Sequence, residues 1–366
     1  MSYHFTGCAR ASETPCPGFV TRINCRLLTA TKTYMKRKVK IDFCDIGINQ
    51  SKTNYFLHWV LAEHFDLQLC DQPEFLVHNL FGHEHRLHSG VRILFTGESD
   101  TPDYSVSDYS IGPRVIGDPR HLHIPAYVIR GPVEKIIKQQ DDPERILAGK
   151  SKFCCFVVSS YNPRNNRNRP DFFELLSRYK KVDSGGRLRN NIGRVIPFGA
   201  KAKAEFLHPY KFNICFENAC KPGYATEKIY DAMAARCLPI YWGDPLIAKQ
   251  FNPRSILNRA DFPSDEALVE KIIELDQDDA KYLEFMRQPY LPNDEPTLYF
   301  NWDRIYDFFE MIVTTPITPV AQRRRGKIQL GRWILVKRNH WHPFPKPHQT
   351  TKFYDRTDGL WSTHGA

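Results

Sequence analysis

Apolar and polar residues alternate along VKIDFCDI (39–46), where Val39, Ile41 and Phe43 share one side as a half-buried strand requires. A turn rich in Gly, Asn and Ser follows, and Tyr55, Phe56, Trp59, Val60 and Leu61 then recur at helical spacing. Strand-like runs return at PEFLVHNLFG (73–82), VRILFTGES (91–99) and SDYSIG (107–112). The polar stretch 131–150 reads as a connection between domains. A second series opens at FCCFVVSS (153–160) and continues with a helix from about Pro170 to Lys180. Next come a strand at KFNICFEN (211–218), a helix over ATEKIYDAMAA (225–235), a strand at CLPIYWG (237–243) and two or three helices to about residue 313. Pro170 in a first turn and Thr226 as a cap are the helix-start signals. Strands alternating with helices predict parallel sheets and an α/β fold. Two such domains in succession have a natural ligand site in the cleft between them. The predicted divisions are a loosely ordered basic leader (1–38), a first α/β domain with its linker (39–150), a second α/β domain (151–315) and a basic, aromatic tail (316–366).

Charge changes this picture only at the ends. The net charge of +10 suggests nucleic acid until it is located. Residues 321–366 contribute +8 and residues 1–40 contribute +7, so the body between them is mildly acidic and a nucleic-acid partner is not expected. Charged residues at 25% and apolar residues at 42% are otherwise globular composition. No run approaches a membrane span, and no apolar stretch follows the first basic residues. The ten cysteines form no CxxC pair, so reduced thiols in a cytoplasmic protein are the expectation.

Candidate chemistry concentrates in YKFNICFENACKPGYATEKIYDAMAARCLPIYWGDP (210–245). A buried strand delivers Glu217 and Asn218 to its C-terminal end. A loop with Gly223 then opens a helix whose first turn holds Thr226, Glu227 and Lys228. The unpaired N–H groups of a helix start favour phosphate, Lys228 adds a full positive charge, and Glu227 could accept sugar hydroxyls. A capping box with a surface lysine is the alternative from local pattern alone.

This stretch resembles the signature of the α-1,3-fucosyltransferase family, in which a strand ending Phe-Glu-Asn precedes Tyr-x-Thr-Glu-Lys. Here it runs Phe216-Glu217-Asn218 and then Tyr224-Ala225-Thr226-Glu227-Lys228. CLPIYWG matches the family's following strand, and FCCFVVSSYNPRNNRNRPDFFELL its upstream motif. SGGRLRNNIG and NLFGHEH resemble segments of bacterial members. The resemblance covers roughly residues 39–315. It implies a GT-B-like fold of two Rossmann-type domains, acceptor-side first and GDP-fucose-binding second. The implied reaction is a single inverting displacement that transfers L-fucose to a glycan hydroxyl, with O3 of N-acetylglucosamine the expected acceptor atom. Such chemistry needs a base on the acceptor side and cations at the pyrophosphate.

By the same resemblance Arg169 and Lys228 face the pyrophosphate, Glu227 holds donor hydroxyls, and Asn218 and Tyr224 shape the pocket. Arg164 and Arg167 leave the register of Arg169 open by a residue or two. Arg189 is a weaker donor candidate, equally readable as a solvated loop arginine. Glu98, after a strand of the first domain, is the implied general base; from its surroundings in sequence it could equally accept turn hydrogen bonds. With Arg169 and Lys228 neutralising charge, no obligatory metal is expected, a divalent ion being at most stimulatory. His83, Glu84, His85 and His88 miss the His-Glu-x-x-His spacing, and Gly185-Gly186 belongs to no phosphate-loop pattern. A different nucleotide sugar as donor remains the alternative within the same fold. The tail, with Arg323, Arg324, Arg325, Trp333, Trp341, Phe344 and Trp361, reads either as peripheral contact with the inner face of an anionic membrane carrying a glycolipid acceptor, or as a solvated segment.

Overall fold

The first apolar series builds six strands: β1 (Arg37–Cys44), β2 (Phe65–Leu69), β3 (Phe75–His78), β4 (Val91–Phe95), β5 (Tyr109–Gly112) and β6 (His121–His123). They form one parallel sheet in the order β2-β1-β3-β4-β5-β6. The second series gives β7 (Lys152–Phe156), β8 (Val182–Ser184), β9 (Tyr210–Phe216), β10 (Leu238–Trp242) and β11 (Leu257–Asn258), parallel in the order β11-β10-β9-β7-β8. Every residue of β4 and β9 is buried, Arg92, Lys211 and Asn213 included, as central parallel strands covered on both faces demand. The computed structural model describes residues 35–46, 51–159, 161, 168–197, 199–323, 354–355 and 360–361. The leader up to residue 34, Arg164 and Arg167, and nearly all of the basic tail lie outside these residues. Within the tail, Tyr354–Asp355 pairs antiparallel with Leu360–Trp361.

Among the described residues nine α-helices accompany the two sheets: α1 (Phe56–Ala62), α2 (Pro143–Ala148), α3 (Asn168–Ser177), α4 (Ala200–Leu207), α5 (Glu227–Ala234), α6 (Asp265–Gln277), α7 (Asp279–Met286), α8 (Asp303–Thr314) and α9 (Val320–Arg323). None of the described helices is long and apolar enough to cross a membrane. All seven described cysteines are unpaired.

One feature departs from the sequence reading: helix α8, assigned by sequence to the second domain, returns to the first sheet. Its Phe309 ring packs 5.4 Å from Phe65 and 6.1 Å from Phe75, and Tyr306 stacks on His64 at 4.3 Å. The stretch 131–150, read from sequence as a connection, is held by hydrogen bonds to the elements that follow it. Tyr230 on α5 donates to Pro132 O at 2.8 Å, and the Lys138 ammonium donates to Met286 O and Gln288 O at 2.7 and 2.8 Å. Arg236 donates to the carbonyls of Lys135 and Ile137. Polar side chains here satisfy main-chain carbonyls.

Both sheets reverse their winding beside their first strand, between β1 and β3 and between β7 and β9. In doubly wound folds the crevice outside the strand ends at such a point is where ligands lie.

Candidate active site

At the C-terminal end of β9, Glu217 follows Phe216 and is wholly buried. A carboxylate in that position must be compensated, and the start of α5 supplies the means. Thr226 donates its backbone N–H to Oε1 at 2.7 Å and its hydroxyl lies 2.7 Å from Oε2. The Lys228 ammonium reaches Oε2 at 3.0 Å and Thr226 Oγ1 at 2.8 Å. Thr226 thus occupies the capping position, but its hydroxyl serves Glu217 instead of the helix N–H groups. Gly243, just past β10, makes this knot possible: a side chain there would lie 2.4 Å from Glu217 Cγ.

Electrostatics in the knot favour a charged lysine. Burial opposes the Lys228 charge, yet Glu217 and Glu227 outweigh it and raise its pKa above the ordinary value. Glu227, 3.3 Å from Lys228, is partly exposed. Burial pushes its carboxyl upward, but Lys228, Lys203 and Arg130 hold it well below the usual carboxylate range. Lys203 and Arg130 are themselves locked to Asp231 of α5, at 2.8 and 2.5 Å. Sequence reasoning missed both cations and the anchoring role of Glu217. The Glu217 position was visible at a strand end, whereas Lys203 and Arg130 reach α5 only through the fold.

The other expected residues fall into place unevenly. Arg169, at the start of α3, is completely buried; its Nε and Nη2 donate to Phe216 O at 3.1 and 2.8 Å. It braces the end of β9 through that carbonyl. Arg189 sits in a left-handed turn (φ 54°) and pairs with Glu174 on the exposed surface of α3. The structure does not bring it to the knot, because its side chain follows α3 outward. Asn218 is half-buried beside Glu217. Tyr224 is buried. Its phenol pKa is raised well above the ordinary value, first by burial and then by Glu98, Glu217 and Glu227 together. Glu98 follows β4 and is half-buried, its N–H donating to Thr96 Oγ1 at 3.1 Å.

A second cluster lies at the reversal point of the first sheet. His85 Nδ1 is 2.7 Å from Asp45 Oδ2, and the His78 and His85 rings stack at 4.1 Å and 17°. Gly82 leaves room for Asp45, since a side chain at 82 would lie 1.8 Å from Asp45 Oδ1. The sequence singled out His85 in company with His83 and His88, but the fold gives it Asp45 and His78. Both His78 nitrogens are engaged, by Asn79 O at 3.1 Å and Ser107 Oγ at 2.8 Å, whereas His85 Nε2 is buried with no hydrogen-bond partner. The ligand atoms of Asp45, His78 and His85 lie within 4.8 Å of one another, a spacing that could hold a metal ion, and the Asp45–His85 pair staples the segment after β3 to the sheet.

Known proteins share this layout. Residues 147–290 match glycosyltransferase family 10 (fucosyltransferase), C-terminal part, and residues 41–130 match the α-(1,3)-fucosyltransferase FucT N-terminal domain. The α-(1,3)-fucosyltransferase FucT of Helicobacter pylori is 29% identical over 300 residues, which is 71% of this chain and 62% of that protein. This chain therefore spans about three fifths of that relative's length. A human 3-galactosyl-N-acetylglucosaminide 4-α-L-fucosyltransferase is 30% identical over 152 residues, 41% of this chain and 40% of that one. A crystal structure of α1,3-fucosyltransferase with GDP-fucose superposes with a TM-score of 0.64 at 25% identity, covering 81% of this chain and 96% of the other. A second, with GDP, has a TM-score of 0.65 at 26% identity, covering 79% and 94%. With both halves matched in order and the GT-B architecture shared, the chain belongs to the α-1,3-fucosyltransferase family, glycosyltransferase family 10.

Proposed function

We propose that this protein transfers L-fucose from GDP-fucose to a glycan hydroxyl with inversion, and that O3 of an N-acetylglucosamine unit is the acceptor atom. The observation that carries this reading is the Glu217–Thr226–Lys228 knot at the reversal point of the second sheet. Lys228 is the cation for the departing pyrophosphate, and Glu227, kept ionised by three cations, accepts hydroxyl hydrogens of the donor. Arg169 keeps the knot in place by holding Phe216 O, and Asn218 and Tyr224 close the pocket.

In the transfer step the acceptor oxygen attacks the anomeric carbon of β-linked fucose. The bond from that carbon to the phosphate oxygen breaks, GDP leaves with the electron pair, and the acceptor proton passes to the Glu98 carboxylate. Because Lys228 already meets the developing negative charge, turnover is proposed to need no divalent ion. The basic, aromatic tail fits peripheral contact with the cytoplasmic face of an anionic membrane, where a glycolipid acceptor would lie.

Calorimetric titration with GDP-fucose, GDP-mannose and UDP-galactose, without and with added divalent metal, tests the donor. Selective GDP-fucose binding without metal is expected. Equal binding of both GDP-sugars would reopen the sugar, and preference for UDP-galactose would overturn the reading in favour of another nucleotide sugar.

A further inference from the structure

The segment that follows β5 touches both halves of the site at once. On one side, Arg114 Nη1 donates to Thr101 Oγ1 at 2.7 Å and lies 3.5 Å from Ser99 O, so it takes hold of the loop that carries Glu98. That loop is fixed at its near end by the Thr96 hydroxyl, and Arg114 secures its far end. On the other side, Val115 N donates to Pro222 O at 2.9 Å, inside the loop leading to Tyr224 and Thr226. Gly223 in that loop has a φ of +84°, and a side chain there would lie 2.6 Å from Pro113 O and 2.7 Å from His123 Nε2. The buried Asp244 carboxylate accepts from Gly223 N at 2.7 Å, pinning the loop from the second domain. The strut itself is held from β6, where His121 Nε2 donates to Arg114 O at 2.7 Å and Nδ1 accepts from the Ser110 hydroxyl at 2.8 Å.

We propose that residues 113–115 form a rigid strut that sets the separation of the Glu98 loop from the donor loop, and that Arg114 is a positioning residue for transfer. A strut of three residues with main-chain contacts on one side and a guanidinium on the other transmits any displacement of one loop to the other. A shift of about 1 Å between base and donor costs on the order of 100-fold in rate. Arg114 acts through Thr101 and Ser99, so its loss should reach kcat and spare the donor. This inference rests on Glu98 being the base.

The test is steady-state kinetics together with GDP-fucose titration on Arg114→Ala, Arg114→Lys, Thr101→Val and the double variant Arg114→Ala/Thr101→Val. Both alanine and valine singles should lower kcat about 10-fold or more with GDP-fucose Kd unchanged within about twofold. The double should be no worse than the weaker single, because the two side chains make one contact. Arg114→Lys, which keeps a donor for Thr101, should recover most of the rate. Thr101→Val sits on a surface loop and carries the test should Arg114→Ala fold poorly. Unchanged kcat in either single, additive losses in the double, or a loss of donor affinity matching the loss of rate would overturn the strut. Failure of the underlying reading is separately visible: Glu98→Ala would then keep its turnover, whatever the Arg114 variants do.

Discussion

Lys228→Ala is expected to weaken GDP-fucose binding about 10- to 100-fold and to destabilise the fold by about 3 kcal/mol. The two effects share one cause. The ammonium lies 3.0 Å from the Glu217 carboxylate, which has no solvent exposure. Without it, Glu217 keeps the two Thr226 donors but loses its counter-charge, and an uncompensated buried charge is expensive. The direction with pH follows from burial, which already raises the Glu217 carboxyl above its ordinary value against the pull of Lys228. A group raised in the folded state contributes stability at low pH that is lost as pH climbs through its folded pKa. The deficit of the variant should therefore shrink on acidification from neutral pH, as Glu217 takes up a proton. Adding Glu217→Gln to Lys228→Ala should recover much of the stability and none of the donor affinity. Denaturant melts at two pH values and a GDP-fucose titration read both. Full recovery of donor binding in the double variant would remove Lys228 from the phosphate.

Glu98→Gln is expected to lower kcat about 10²- to 10⁴-fold while GDP-fucose affinity stays within about twofold. The glutamine keeps the shape of the side chain and leaves the loop's anchor intact, because the bond to Thr96 Oγ1 is made by the Glu98 backbone N–H. What disappears is the capacity to take the acceptor proton, which the proposed mechanism assigns to this carboxylate. Donor binding is spared because the groups assigned to it lie on β9, its following loop and α5. Single-turnover rates beside calorimetry separate the two quantities. A variant with wild-type turnover would return Glu98 to the part of a turn residue.

The central strands were legible in the sequence because central parallel strands must be apolar on both faces. VRILF, KFNICF and LPIYW announce themselves for that reason. The four strands left unforeseen, β2, β6, β8 and β11, are the edges of the two sheets. Edge strands here run five, three, three and two residues, too short for a period to emerge. The site divides along a similar line. Glu217, Thr226 and Lys228 are within eleven residues of one another, so strand end and helix start already place them together. Arg169 was chosen for its charge, but the Phe216 carbonyl that captures it lies 47 residues away. The partner of His85 is Asp45, 40 residues upstream, and α8 finds the first sheet from more than two hundred residues downstream. Residue type suggests what a side chain could do; only the fold decides which group it meets.

The most direct test of the account is proton NMR of the product formed from GDP-fucose and a galactosyl-N-acetylglucosaminide acceptor, followed from the first turnover. The account predicts α-linked fucose on O3 of the N-acetylglucosamine, formed together with GDP from the β-linked donor. A β-linked product, or no fucose transfer by a protein that binds GDP-fucose, would contradict it.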